Sequence, residues 1–170
     1  MKTINSLSGG KTSSYIAANY PADYNVFSLV RTEDEGSKFK DDKIRKLVED
    51  RIQAPFIATA EDDTIIYTML DLEQYIGKEI NWVTMPIAQW RHKNIEGDAE
   101  MRFGFRANEQ SRAKTMTEKL NERGMTEVKI VVGRTKTGTR NRWGVIDYCK
   151  PSFPLIEDAV FKDTIEEFWK

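Results

Sequence analysis

The chain has 170 residues, 31% of them charged and 39% hydrophobic, and 26 basic against 27 acidic residues leave a formal net charge of −1. That size suits a single domain, 1–170, with a substantial core, and the charge balance argues against nucleic-acid binding through bulk charge while leaving room for a local basic patch. One cysteine, Cys149, excludes an internal disulfide framework and a four-cysteine metal site, and with no membrane-length apolar run and no signal-peptide core the expected location is the cytoplasm.

Thr3 to Leu7 alternates as a strand, and Ser14 to Tyr20 reads as a helix. Between them stands Ser8-Gly9-Gly10-Lys11-Thr12-Ser13. A strand, a glycine turn and a helix start are what a phosphate group needs. Adjacent glycines let the backbone approach an anion without a Cβ in the way. The free N–H groups of the helix start point at the ligand, and the helix dipole favours negative charge there. Ser8, Thr12 and Ser13 add hydroxyls, and Lys11 adds a positive charge. The Walker-type pattern G-x-x-x-x-G-K-[ST] fits only at Gly10-Lys11-Thr12, because Asn5 stands where the leading glycine belongs. The plain alternative is a turn that binds nothing.

Tyr24 to Val30 reads as a buried strand, followed by a polar bend from Arg31 to Gly36. Asp41 to Gln53 carries Ile44, Leu47, Val48 and Ile52 on one helix face. Pro55 to Thr59 is a short strand. Asp62-Asp63-Thr64 caps a helix to about Ile76, stopped by Gly77. Ile80 to Thr84 is a strand, and Pro86 to Ile95 a short helix opened by its proline. Glu100 to Arg106 is a strand, Asn108 to Arg123 a helix ended by Gly124, and Val128 to Gly133 a strand. Thr135 to Arg142 is a basic loop, Gly144 to Cys149 the last strand, and Asp163 to Trp169 the last helix, capped by Asp163 or Thr164. This alternation predicts an α/β three-layer sandwich with a mainly parallel twisted sheet covered on both faces. In such sheets ligands sit beyond the C-terminal strand ends, near a switch in strand order.

A second motif, Gly104-Phe105-Arg106-Ala107-Asn108-Glu109-Gln110-Ser111-Arg112, lies where a strand end meets a helix start. Arg106 and Arg112 suit phosphate because a planar guanidinium gives paired, charge-assisted hydrogen bonds. Glu109 either holds an arginine or helps to position a metal ion. The plain alternative is an exposed helix start with an ordinary Glu–Arg pair.

Ser8 to Ser13 matches the S-G-G-x-[DT]-S loop of the PP-loop ATP pyrophosphatases, with Thr12 at the position that is often Asp. The second motif resembles the G-[IVF]-R-x-x-E-S-x-R pattern of the PAPS (phosphoadenosine-phosphosulfate) reductase group within that superfamily, with Gln110 as an extra residue. Arg31-Thr32-Glu33-Asp34, the run from Glu49 to Ala60 and the run from Met69 to Ile80 look like phage-encoded members of that group. The resemblance implies the adenine-nucleotide α-hydrolase-like fold, with a host cytoplasmic location for a phage protein. It implies a nucleotide site of Ser8, Gly9, Gly10, Lys11, Thr12, Ser13, Val30, Thr32, Gly104, Arg106, Glu109 and Arg112. The loop from Val30 to Glu33 would lie by the adenine and ribose. Lys11, Arg106 and Arg112 would offset charge during cleavage of ATP between its α and β phosphates, adenylating an acceptor. ATP (or PAPS) and Mg²⁺ are the expected ligands, with no dedicated protein metal site and no membrane partner. The acceptor, a small molecule or a nucleic acid, and homo-oligomerisation stay open.

Two departures bear on the rival readings. Val83-Thr84 runs directly into Met85-Pro86-Ile87-Ala88-Gln89-Trp90, where relatives carry a C-T-x-x-[LM]-K segment, and the cysteine pair that relatives often place after F-W-K is not in this chain, which stops at Lys170. The rivals are a sulfonucleotide reductase, a nucleotide-binding or assembly protein without turnover, and a nucleic-acid-modifying partner suggested by the loop from Arg134 to Arg142. His92 is expected to face solvent from its helix, Cys149 to be a buried inert thiol, and Trp82, Trp90, Trp143 and Trp169 to serve packing.

Overall fold

The computed structural model describes residues 1–122, 127–130 and 145–170. In chain order it comprises β1 (Lys2–Leu7), α1 (Lys11–Asn19), β2 (Tyr24–Ser28), β3 (Arg31–Thr32), a 3-10 turn (Glu35–Ser37), α2 (Asp42–Ile52) and β4 (Ala58–Thr59). There follow α3 (Thr64–Ile76), β5 (Ile80–Val83), α4 (Ile87–Asn94), β6 (Ala99–Arg102), α5 (Gln110–Glu122), β7 (Glu127–Ile130), β8 (Val145–Ser152), α6 (Pro154–Glu157) and α7 (Lys162–Phe168). The predicted stop at Gly124, the basic loop from Thr135 to Arg142 and Trp143 lie outside the described residues. No described helix is long and apolar enough to cross a membrane.

The main sheet has the order β5-β2-β1-β6-β8-β7. Five of its strands are parallel, and β7 joins the edge antiparallel to β8. Consecutive residues of a strand face opposite sides, so Val26 and Phe27 enter different cores. Phe27, Leu7, Ile80 and Trp82 pack with α2 and α3 residues such as Val48, Ile66 and Met69. Val26, Ile4, Val83 and Met101 pack on the other face with Ala88 and Trp90 of α4. Both faces are thus covered, as a parallel sheet requires. The architecture is a Rossmann-like layered α/β fold.

Several predicted boundaries change. Helix α1 starts at Lys11, three residues earlier than its apolar pattern, so Lys11, Thr12 and Ser13 form its first turn. The strand predicted from Pro55 to Thr59 is not part of the main sheet. Only Ala58 and Thr59 pair, antiparallel with Thr32 and Arg31, and they turn the supposed polar bend into a small ribbon. The strand after Glu100 ends at Arg102, because Phe103 to Ala107 leaves the sheet. Strand β8 continues through Pro151 to Ser152, and α6 follows it. Neither Asp163 nor Thr164 caps α7; its N-cap is Phe161, with no side-chain bond. The N-cap of α3 is Asp63, without a side-chain bond; Asp62 precedes it, its Oδ1 accepting from the Thr64 N–H at 2.9 Å, and Gly77 ends the helix at φ 64°.

Candidate functional site

The chain leaves β1 to lay β2 and β5 on one side, and returns to place β6 on the other side of β1. The order therefore reverses between β1 and β6. A crevice opens beyond the C-terminal ends of such a pair. The glycine loop leaves β1 at this place, and the segment from Phe103 to Ala107 leaves β6 beside it.

Gly9 turns the loop at φ +90°, a region open mainly to glycine. A Cβ there would also stand 2.2 Å from Ile65 Cγ2. Gly10 is the N-cap of α1 with an extended backbone and no side-chain cap. A Cβ on Gly10 would meet only Ser8 Oγ, at 3.8 Å. The first intrahelical bond runs from Ser14 N–H to the Gly10 carbonyl at 3.1 Å, so the N–H groups of Lys11, Thr12 and Ser13 precede it. The Ser13 hydroxyl accepts from the Ser8 N–H at 3.1 Å, lies 3.1 Å from Ser8 Oγ and contacts the Gly10 carbonyl. It braces the loop from a buried position. Lys11 is exposed and Thr12 half-buried on the first turn.

Gly104 brings the second motif to the first. A Cβ on it would stand 3.1 Å from both the backbone N and Cα of Ser13. The segment is held there by Phe103 N–H to the Ser152 carbonyl and Ala107 N–H to the Val160 carbonyl, both 2.9 Å. Phe153 packs against Phe103 and Phe105 with centroids at 5.9 and 5.7 Å. At the other end of α1, Arg102 donates to the Pro21 carbonyl at 2.9 Å, and the fully buried Asn5 donates to the Tyr20 carbonyl at 2.9 Å. Helix α1 is thereby gripped at both ends by β1 and β6. No sequence signal announced Asn5 or Arg102, because both bonds span long stretches of chain.

Glu109 is buried and binds both arginines. One carboxylate oxygen takes Arg106 Nε, and the other takes Arg112 Nη1 at 3.2 Å. With one bond on each oxygen it orients both guanidinium groups. Among the described residues no group of three or more His, Cys, Asp or Glu side chains is placed to hold a metal. Arg106 is largely sheltered, whereas Arg112 is 69% exposed and lies 5.8 Å over the Phe105 ring.

A cavity of about 620 Å³ lies at the ends of β2 and β5, lined among others by Ser28, Val30, Thr32, Glu33 and Thr84. The expected residues Val30 and Thr32 are here, away from the glycine loop. Strand β2 pairs with β1, so the cavity opens at the end of the strand next to the one that carries the loop. The Val30 side chain is half exposed, and its carbonyl accepts from Ala60 N–H at 2.9 Å.

Other expected residues fall elsewhere. His92 is half-buried on α4 rather than facing solvent. Cys149 is buried, as expected, opposite Ala99 at the start of β6. Burial pushes its thiol above the usual range, partly offset by Arg91. The strand residues that flank the basic loop, Ile130 and Val145, pair with each other. They lie at the end of the sheet opposite the glycine loop, since β8 runs parallel to β6 and Val145 precedes the residue paired with Ala99. Trp169, read as packing, also donates from Nε1 to the Lys11 carbonyl at 3.1 Å.

No family model matches this chain, and no curated protein and no solved structure matches it.

Proposed function

We propose that the chain binds an adenine nucleotide, with phosphates at the glycine loop and base in the cavity beside it, as in a PP-loop ATP pyrophosphatase. The observation that carries this reading is the close approach of Gly104 to the first turn of α1. It joins two motifs distant in sequence at the place where open α/β sheets take ligands. The open space at Gly10 supports it too: nothing inside the protein requires a glycine there, whereas an approaching phosphate would.

In the proposed reaction the α1 N–H groups and Lys11 hold the β and γ phosphates. Arg106, oriented by Glu109, offsets charge as the α–β bond breaks. The acceptor nucleophile forms a bond to the α phosphorus, and the electron pair of the broken P–O bond leaves with pyrophosphate. Positioning and electrostatics supply the acceleration. Any Mg²⁺ would be held mainly by phosphate oxygens and water. A reductase reading would need a thiolate near the nucleotide. Cys149 lies on β8 opposite the start of β6, with its thiol form favoured by burial.

Calorimetric titration with ATP, AMP and PAPS, with and without Mg²⁺, tests the reading, and pyrophosphate release tests the cleavage. Arg106→Ala is expected to weaken ATP binding by about 10- to 100-fold, the equivalent of losing charge-assisted hydrogen bonds. Gly10→Val is expected to abolish it. If both variants bind like the parent, the site is misplaced. Tight binding without pyrophosphate release would leave a nucleotide-binding protein that does not turn over.

A further inference from the structure

The cavity at the ends of β2 and β5 has a charge pattern that the phosphate site does not explain. Its ionisable lining residues are Arg31 and Glu33. Arg31 donates from Nη1 to the Pro55 carbonyl at 2.8 Å, which ties its guanidinium to the cavity wall. Glu33 is exposed, and among the described residues no ion pair engages it. Hydroxyls of Ser28, Thr32 and Thr84 lie nearby, of which Ser28 is spent on the Met85 carbonyl at 2.8 Å.

A carboxylate accepts hydrogen bonds and donates none. It therefore suits the hydroxyls of a sugar, and it repels a phosphate placed on the same carbon. Nucleotide sites use this contrast to separate free from phosphorylated ribose. We infer that Glu33 selects an adenine nucleotide with free ribose hydroxyls and excludes one phosphorylated on its ribose. This rests on the nucleotide reading above and narrows it to ATP rather than PAPS. A nucleotide spanning from the β1 loop to the β2–β5 cavity would carry its ribose between phosphates and base, within reach of Thr32 and Glu33, which line that cavity.

The matched probes are ATP and its 3′-phosphorylated counterpart, which differ by one phosphate, titrated into the whole chain by calorimetry. The parent is expected to bind ATP about tenfold more tightly than the 3′-phosphorylated probe, since like charges brought together repel even when solvent screens them in part. Glu33→Gln is expected to narrow that ratio and Glu33→Lys to reverse it, while Arg31→Ala leaves it in place. The exposed position of Glu33 makes misfolding of these variants unexpected, and circular dichroism checks it. Equal binding of the two probes by the parent overturns this inference alone. So does a ratio unchanged by both Glu33 substitutions, or one governed by Arg31. Failure of the parent to bind ATP overturns the nucleotide reading and this inference with it.

Discussion

Gly9 and Gly10 stand side by side and are glycine for opposite reasons. Gly9 has a positive φ, and the space beside its Cα is filled by Ile65 of α3. Gly9→Ala therefore forces both strain and overlap, and is expected to cost about 2–4 kcal/mol of stability, read as a lower denaturant midpoint without ligand. Gly10 has an ordinary extended backbone and open space where a Cβ would be. Gly10→Ala is expected to stay within about 1 kcal/mol of the parent in stability and to lose ATP affinity in the calorimeter. A Gly10→Ala protein that binds like the parent would show that the loop serves the fold alone. The glycine pair was legible in the sequence, but the division of labour was not, since Ile65 lies far along the chain. The bracing bonds of Ser13 were opaque for a related reason: a hydroxyl that closes its own loop looks the same in one dimension as one that meets a ligand.

Glu73 ties three elements together. Its carboxylate takes Arg51 of α2 through two bonds, one of them 2.8 Å long, and takes the Ile80 N–H at the start of β5 at 2.8 Å. The Arg51 hydrogen bond, helped by that N–H, holds its carboxyl below the usual range despite burial. A depressed carboxylate stabilises the fold fully above the ordinary glutamate value, about 4.3. That contribution is lost as pH falls through the folded-state value. Glu73→Gln is expected to cost about 1.5–3 kcal/mol at pH 7. Thermal melts from pH 7 to 3 should show the gap to the parent closing on the acid side. Asp23 is also depressed, chiefly by the Thr3 N–H, so the variant should keep part of the parent's acid sensitivity. The stop at Gly77 was legible in the sequence, and it closes α3. The cap of α2 was not singled out, although Asp41 accepts from the Lys43 and Ile44 N–H groups there, and the expected cap of α7 is not made. The β3–β4 ribbon was missed because two-residue pairings across a long loop leave no periodicity. The early end of β6 was missed because Phe103-Gly104-Phe105 keeps an alternating look while Gly104 is drawn aside to meet α1.

At the scale of the molecule, alternating helices and apolar strands made the parallel α/β class legible, and the order of the two motifs pointed to one end of the sheet. The strand order itself was not readable, and with it the fact that β6 returns beside β1. Nor was the burial of Arg91, fully inside the protein and donating to the carbonyls of Ile95 and Gly97 where the chain turns from α4 toward β6. An arginine on a polar stretch of sequence gives no sign that backbone carbonyls will enclose it.

The bond from the Trp169 indole to the Lys11 carbonyl gives the molecule a fluorophore wired to its first helix. Trp82 and Trp90 sit in the interior, so among the described tryptophans Trp169 is the one placed to register a change at the loop. Adding ATP is expected to shift or quench its emission in step with the calorimetric isotherm, and Trp169→Phe to diminish the optical response while binding persists. An emission spectrum indifferent to saturating ATP would mean that the first turn of α1 does not sense the ligand.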